Sequence, residues 1–142
     1  MTSDALYHEA LLRLARAGTG AGRLGAPDAT AARDNPLCGD DVVLDVSVRD
    51  GRIAAVGHRV RGCVLCQASA SVLGAVAPGR VPAEITRVRT ALAAMLREGS
   101  DAPGAPWEEL AVFLPVRAVP SRHECVLLPF DALADAVARA KE

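Results

Sequence analysis

The 142-residue chain predicts an α+β fold, a small antiparallel sheet with helices packed on one face, in a single domain spanning residues 1–142. Three observations carry that expectation. Val42, Leu44, Val46 and Val48 alternate as one face of a strand, and "RDGR" at 49–52 turns the chain into a second strand from Ile53 to Val60. Apolar residues recur at helical spacing both before and after this hairpin. Apolar residues make up 51% of the chain but aromatics only 3%, so alanine, valine and leucine must fill one modest core.

Taken in order, residues 4–17 read as an amphipathic helix, with Leu6, Ala10 and Leu14 at four-residue spacing and Tyr7 and Leu11 beside them. Ser3 is placed to cap its start and Gly18 to close it. Residues 18–36, rich in Gly and Ala with two prolines, read as a mobile connection to the hairpin. The small residues of "QASASVLGAV" at 67–76 predict a closely packed helix, ended by Pro78 and Gly79. A further helix is expected from Pro82 to Arg97, with Ile85, Val88, Leu92, Met95 and Leu96 on one face and Gly99 beyond its end. "GSDAPGAP" is a loop, and Trp107–Val116 reads as a short helix interrupted by Pro115. The last helix is expected to begin near Pro129, with Phe130, Leu133, Ala134 and Val137 facing inward.

Sixteen basic against 17 acidic residues leave a net charge of −1, without the basic stripe that a nucleic-acid surface needs. The longest uncharged run, 62–79, contains Gln67, Ser69, Ser71, Gly74 and Pro78 and is too poor in large apolar residues for a membrane span. The opening "MTSDALYHEA" lacks the cationic start of an export signal. The expectation is a cytoplasmic, monomeric protein with no nucleic-acid or membrane partner. In that compartment thiols stay reduced, so four cysteines point to metal or redox chemistry rather than disulfides.

Each cysteine falls where elements join. Cys38 precedes the first strand of the hairpin, Cys63 follows the second, Cys66 opens the next helix, and Cys125 precedes the last. Antiparallel pairing brings the two ends of the hairpin together, so Cys38, Asp40 and Cys63 can converge, and the final helix can bring Cys125 to the same corner. Three thiolates and a carboxylate suit tetrahedral zinc, and Gly39 lets the turn fold back so that Cys38 and Asp40 face one ion. The competing readings are plainer. Cys66, in a helix of small residues, reads as an inert core cysteine that a metal does not need. "CVLC" at 63–66 has no second pair to complete a zinc finger. His58 and His123 read as surface or capping residues, His8 as solvated, and Asp41 as a solvated charge at the strand start.

"NPLCGD" at 35–40, "GCVLCQASAS" at 62–71 and "PSRHEC" at 120–125, with "LYHEALLRLA" at 6–15, resemble the U-type iron–sulfur cluster assembly proteins: IscU, the N-terminal domain of NifU, and SufU. Glu124 stands where the IscU pattern has histidine. The long, Pro- and Gly-containing span from Cys63 to Cys125, and Arg122 three residues before Cys125, resemble the SufU branch. The resemblance implies that Cys38, Asp40, Cys63 and Cys125 bind zinc and that Cys38 accepts sulfur from a SufS-type cysteine desulfurase. Arg122 is close enough in sequence to steady Asp40 or a departing thiolate. On this reading the chain is a zinc-dependent sulfurtransferase that feeds downstream iron–sulfur assembly proteins. Two alternatives remain: a scaffold that builds a transient [2Fe–2S] cluster on the same residues, and a structural zinc domain that binds partners without chemistry. Glu124, Cys66 and Pro129 are departures from the pattern.

Overall fold

The computed structural model describes residues 3–37 and 39–140, with side chains from residue 7 onward. Helix α1 runs Ser3–Ala17 and is closed by Gly18, which adopts a φ of 52° and bonds its N–H to the Leu14 carbonyl at 3.2 Å. The expected Ser3 cap and the Leu6 contact fall outside the described side chains. Strands β1 (Ala29–Asn35), β2 (Asp40–Arg49) and β3 (Arg52–Arg61) form an antiparallel sheet in the order β1-β2-β3. Helices α2 (Val64–Val76) and α3 (Pro82–Arg97) follow, then 3₁₀ segments at Glu108–Ala118 and Pro120–Arg122, then α4 (His123–Arg139).

The hairpin of β2 and β3 forms as its alternation requires. Val42, Leu44 and Val46 are wholly buried, and Asp50 and Gly51 both take positive φ, the conformation of a tight hairpin turn. Helix α4 lies across β1 and β2 while α2 covers β3, so the helical layer sits on one face of the sheet. Leu73, Ile85, Leu92, Met95, Phe113, Leu127 and Leu133 fill the core between them, and Trp107 meets Phe130 with ring centroids 6.0 Å apart.

Four expectations are corrected. The segment 18–36 is not a loose connection, because it contains β1 and a strap that is held at several points. Gly20 and Gly22 bond to the backbone of His58 at the outer edge of β3. The chain then crosses the sheet's other face, where Arg23, the Leu24 N–H and the Thr30 hydroxyl all reach the buried Asp45 carboxylate at 2.6–3.1 Å. Gly57 lies beneath the strap, and a Cβ there would stand 2.5 Å from the Gly22 carbonyl oxygen. Strand β1 escaped notice because "ATAARDN" buries only Ala31, so its period-two signal is faint.

The last helix begins at His123, six residues before the expected start, with Pro129 inside it. Proline costs a helix interior about 3 kcal/mol. Val126, Leu127, Leu128, Phe130 and Leu133 are all buried by this helix, each worth roughly 1.5–3 kcal/mol, so packing outweighs the break. Lastly, the expected short helix at 107–116 is 3₁₀ and runs through Pro115 to Ala118. Helix α2 also starts earlier than the small-residue run suggests, which places Cys66 within its first turn.

Candidate metal centre

Asp40, Cys63 and Cys125 come together at the open end of the β2–β3 hairpin. Asp41 pairs with Arg61, so Asp40, the first residue of β2, and Cys63, the second residue after β3, must meet. Asp40, only 3% exposed, accepts the Cys63 backbone N–H on Oδ1 at 3.1 Å, and its Oδ2 lies 3.4 Å from Cys63 Sγ. Gly62 makes the approach possible. A Cβ on that residue would stand 2.6 Å from both Cγ and Oδ1 of Asp40. Cys63 occupies the N-cap position of α2 and makes no side-chain capping hydrogen bond to the helix.

Cys125 arrives on the first turn of α4 and is wholly buried. Two contacts hold that turn. Ser69 on α2 donates its hydroxyl to the Val126 carbonyl at 2.6 Å, and His123 Nε2 donates to the Val116 carbonyl at 2.9 Å. The donor atoms of Asp40, Cys63 and Cys125 all lie within 4.8 Å of one another, and among the described residues no other such His, Cys, Asp and Glu group forms. Two helix N-termini, those of α2 and α4, point their positive ends at this corner, a field that favours anionic sulfur and carboxylate. Two soft sulfurs and one hard oxygen, in a largely buried corner, fit the coordination chemistry of zinc and of an iron–sulfur unit.

Cys38 lies outside the described residues. Its neighbour Gly39 takes a φ of 72° and bonds its N–H to the Asn35 carbonyl at 2.9 Å, the tight reversal expected of a glycine beside Asp40. Arg122 is exposed at the N-cap position of α4, three residues before Cys125. Glu124 pairs with Arg97 of α3, which gives this departure from the family pattern a structural role. Cys66 is fully buried in the core and is not one of the three-residue group.

The histidines correct the sequence reading in part. His58 and His123 are not surface residues: both are buried and donate to main-chain carbonyls, His58 to Thr19 at 2.8 Å. Burial pushes the His58 pKa down and so favours the neutral ring, against a smaller opposing effect of its bond to Thr19. His8 is exposed, as expected, and Asp41 is half-buried.

Two further residues, Gly62 at this corner and Asp45 in the middle of β2, are not among those that motif and spacing single out. Gly62 signals itself only through its position between a strand and a cysteine. Asp45 was the clearer sign, a carboxylate at the centre of an apolar strand. It is fully buried. Burial would raise its pKa, but the Arg23 guanidinium, the Thr30 hydroxyl and the Leu24 N–H together bring it below the usual carboxylate value.

Comparison with known proteins places this architecture. The family model described as the NifU-like N terminal domain matches residues 6–104. Over 139 residues the chain is 28% identical to the iron–sulfur cluster assembly scaffold protein IscU of Thermotoga maritima, covering 96% of both chains. A crystal structure of a nitrogen-fixing NifU-like protein (N-terminal) from Brucella abortus superposes with a TM-score of 0.91 at 35% identity, covering 96% of this chain and 95% of that one. FiSufU of Fervidobacterium islandicum AW-1, named for an iron–sulfur cluster assembly scaffold of the SUF system, shares the fold with a TM-score of 0.85 at 24% identity, over 96% and 99% of the two chains.

Proposed function

The chain belongs to the family of NifU-like N-terminal domains, and on that premise we propose that it serves iron–sulfur cluster assembly as a zinc-dependent sulfur carrier. The observation that carries the reading is the convergence of Asp40, Cys63 and Cys125, with a third cysteine, Cys38, two residues before Asp40 in the sequence. Cys38 completes the donor set. Bound zinc supplies charge that keeps the thiols deprotonated, without redox chemistry of its own.

Cys38 is the sulfur acceptor in this proposal. Its thiolate attacks the outer sulfur of a persulfide on a cysteine desulfurase of the SufS type. The donor's S–S bond breaks, the donor cysteine leaves as thiolate, and the new S–S bond stands on Cys38. Cys38 leaves the metal for this step because its neighbour in the chain is the hinge-forming Gly39, at a φ of 72°, whereas Cys63 and Cys125 are built into helix starts. Arg122, at the start of α4, is assigned to steady the anionic group exposed when Cys38 departs. A docking surface for the desulfurase is supported by three exposed apolar residues flanking the ligand segments, Leu37 at 95%, Val64 at 37% and Val119 at 44% exposure. Downstream iron–sulfur assembly proteins then receive the sulfur. Among the described residues, no helix is long and apolar enough to cross a membrane.

A second reading treats a [2Fe–2S] cluster as cargo held on the same four residues and passed on. It is favoured by the name of the Thermotoga maritima relative, which matches along nearly its whole length. A carboxylate ligand suits transfer, since hard oxygen holds iron–sulfur units less firmly than thiolate. Metal analysis of freshly purified protein with a visible spectrum separates the two. About one zinc per chain without visible absorption supports the carrier; a brown protein containing iron and sulfide supports the scaffold.

A further inference from the structure

Cys66 has no task in either reading, yet its position is specific. It lies three residues after Cys63 in the first turn of α2 and is fully buried, while Cys63 stands at the N-cap and is half-buried. On a regular helix, residues three apart are separated by about 5 Å at Cα. That is inside the roughly 4.4–6.8 Å that a disulfide spans. An N-cap side chain also naturally turns toward the N3 position of its own helix, and N3 here is Cys66. A half-buried cysteine at the helix start with a buried one behind it is the arrangement of a dithiol redox pair.

We propose that Cys63 and Cys66 form a reversible dithiol–disulfide pair, closed by hydroperoxides, that takes Cys63 out of the metal-binding group. The Cys63 thiolate attacks one peroxide oxygen, the O–O bond breaks, and a sulfenic acid and an alcohol (water from hydrogen peroxide) result. Cys66 sulfur then attacks the Cys63 sulfur. The S–O bond breaks, the hydroxyl leaves as water with the Cys66 proton, and the S–S bond forms. The peroxide accepts the two electrons that the thiols lose. A small dithiol returns the pair to its reduced form and is itself oxidised to a disulfide.

The rival partner for Cys63 is Cys125, whose sulfur lies within 4.8 Å. Joining those two pins α2 to α4 across Asp40, and α4's first turn is already held by the bonds of Ser69 and His123. Joining Cys63 to Cys66 closes a four-residue segment that is already helical. It therefore constrains little in either the folded or the unfolded chain, and oxidation changes metal binding while leaving the fold in place. Cys66 thus guards Cys63 against over-oxidation when the ligand set is exposed to peroxide.

The disulfide rests on the geometry of Cys63 and Cys66 alone; the loss of metal rests on the proposal that Cys63 is a ligand. The experiment reads the two separately. Full-length protein incubated with zinc is treated with hydrogen peroxide, blocked with iodoacetamide and digested with trypsin, while released zinc is followed with a chromophoric chelator. Cleavage after Arg61 and Arg80 leaves both cysteines in peptide 62–80, with Cys38 in 34–49 and Cys125 in 123–139. The expected product is an unalkylated 62–80 lighter by two hydrogens, with zinc release that dithiothreitol and added zinc reverse. In Cys66→Ala and Cys66→Ser zinc still binds, but peroxide carries Cys63 to sulfinic acid and the release becomes irreversible. Peptide 62–80 crosslinked to 34–49 or 123–139 in the parent, or Cys66 still alkylated after oxidation, overturns the pair. Formation of the 62–80 disulfide in a protein that never bound zinc upholds the pair and refutes Cys63 as a zinc ligand.

Discussion

Gly62→Ala tests how tightly the sheet end and the metal corner are coupled. The added methyl would stand 2.6 Å from Cγ and Oδ1 of Asp40 and 3.0 Å from its Cβ. Ordinary carbon contacts lie at about 3.5–4.0 Å, so the carboxylate must retreat by roughly 1 Å. It cannot swing aside freely, because its Cβ is also in the way and the strand fixes its backbone. The retreat breaks the 3.1 Å bond from the Cys63 N–H and misplaces one proposed ligand oxygen. Overpacking of this kind costs about 1–3 kcal/mol, which for a chain of this length lowers Tm by about 3–9 °C. Displacing a group that orients ligands typically weakens metal affinity about 10- to 100-fold. Chelator competition and thermal unfolding, each with and without zinc, measure both effects. Gly25→Ala is the control: nothing lies within 4 Å of a Cβ there, and its effect should stay within about 0.5 kcal/mol. If Gly62→Ala held zinc as firmly as the parent and melted with it, the close approach of Gly62 to Asp40 would have no functional meaning.

Asp45→Asn should destabilise the strap by about 1.5–3 kcal/mol at neutral pH, the value of hydrogen bonds to a buried charge, read by urea unfolding. Because Asp45's folded pKa lies below its unfolded value, its contribution is present above the ordinary carboxylate pKa and is lost as pH falls through the folded one; the parent's acid limb should therefore be steeper than the variant's. Ser69→Ala removes the 2.6 Å bond to the Val126 carbonyl and should cost about 1–2 kcal/mol with a measurable loss of zinc affinity, although Ser69 is not a ligand; affinity equal to the parent's would detach this bond from the site. Cys38→Ser should fold yet fail to stimulate sulfide release by a SufS-type desulfurase, whereas Cys63→Ser and Cys125→Ser should loosen zinc and lose stability with it. Persulfide mapped to Cys125 in the parent, and still formed in Cys38→Ser, would move the assignment to the scaffold reading.

The hairpin and α3 were legible in the chain because their signals are local. Alternation from Val42 to Val48, an Asp-Gly turn and a proline-started apolar stripe each act within a few residues, and local sterics and burial decide them. The convergence of Asp40 and Cys63 was legible for a related reason, since pairing of adjacent antiparallel strands must return the chain to its starting end. What the tertiary structure decided was everything that depends on distant partners. A polar strand such as β1 is held by β2 and α4 rather than by its own pattern. The strap at 20–28 is held by the buried carboxylate of Asp45 and by the backbone of His58, with Gly57 beneath it leaving room for the contact. The start of α4 depends on core burial strong enough to carry a helix through Pro129. Cys125 joins the metal corner only because α4 begins at His123 and Ser69 ties its first turn to α2. Sequence spacing specifies neighbours along the chain, whereas a site assembled from separate elements is set by packing free energy summed over the whole core.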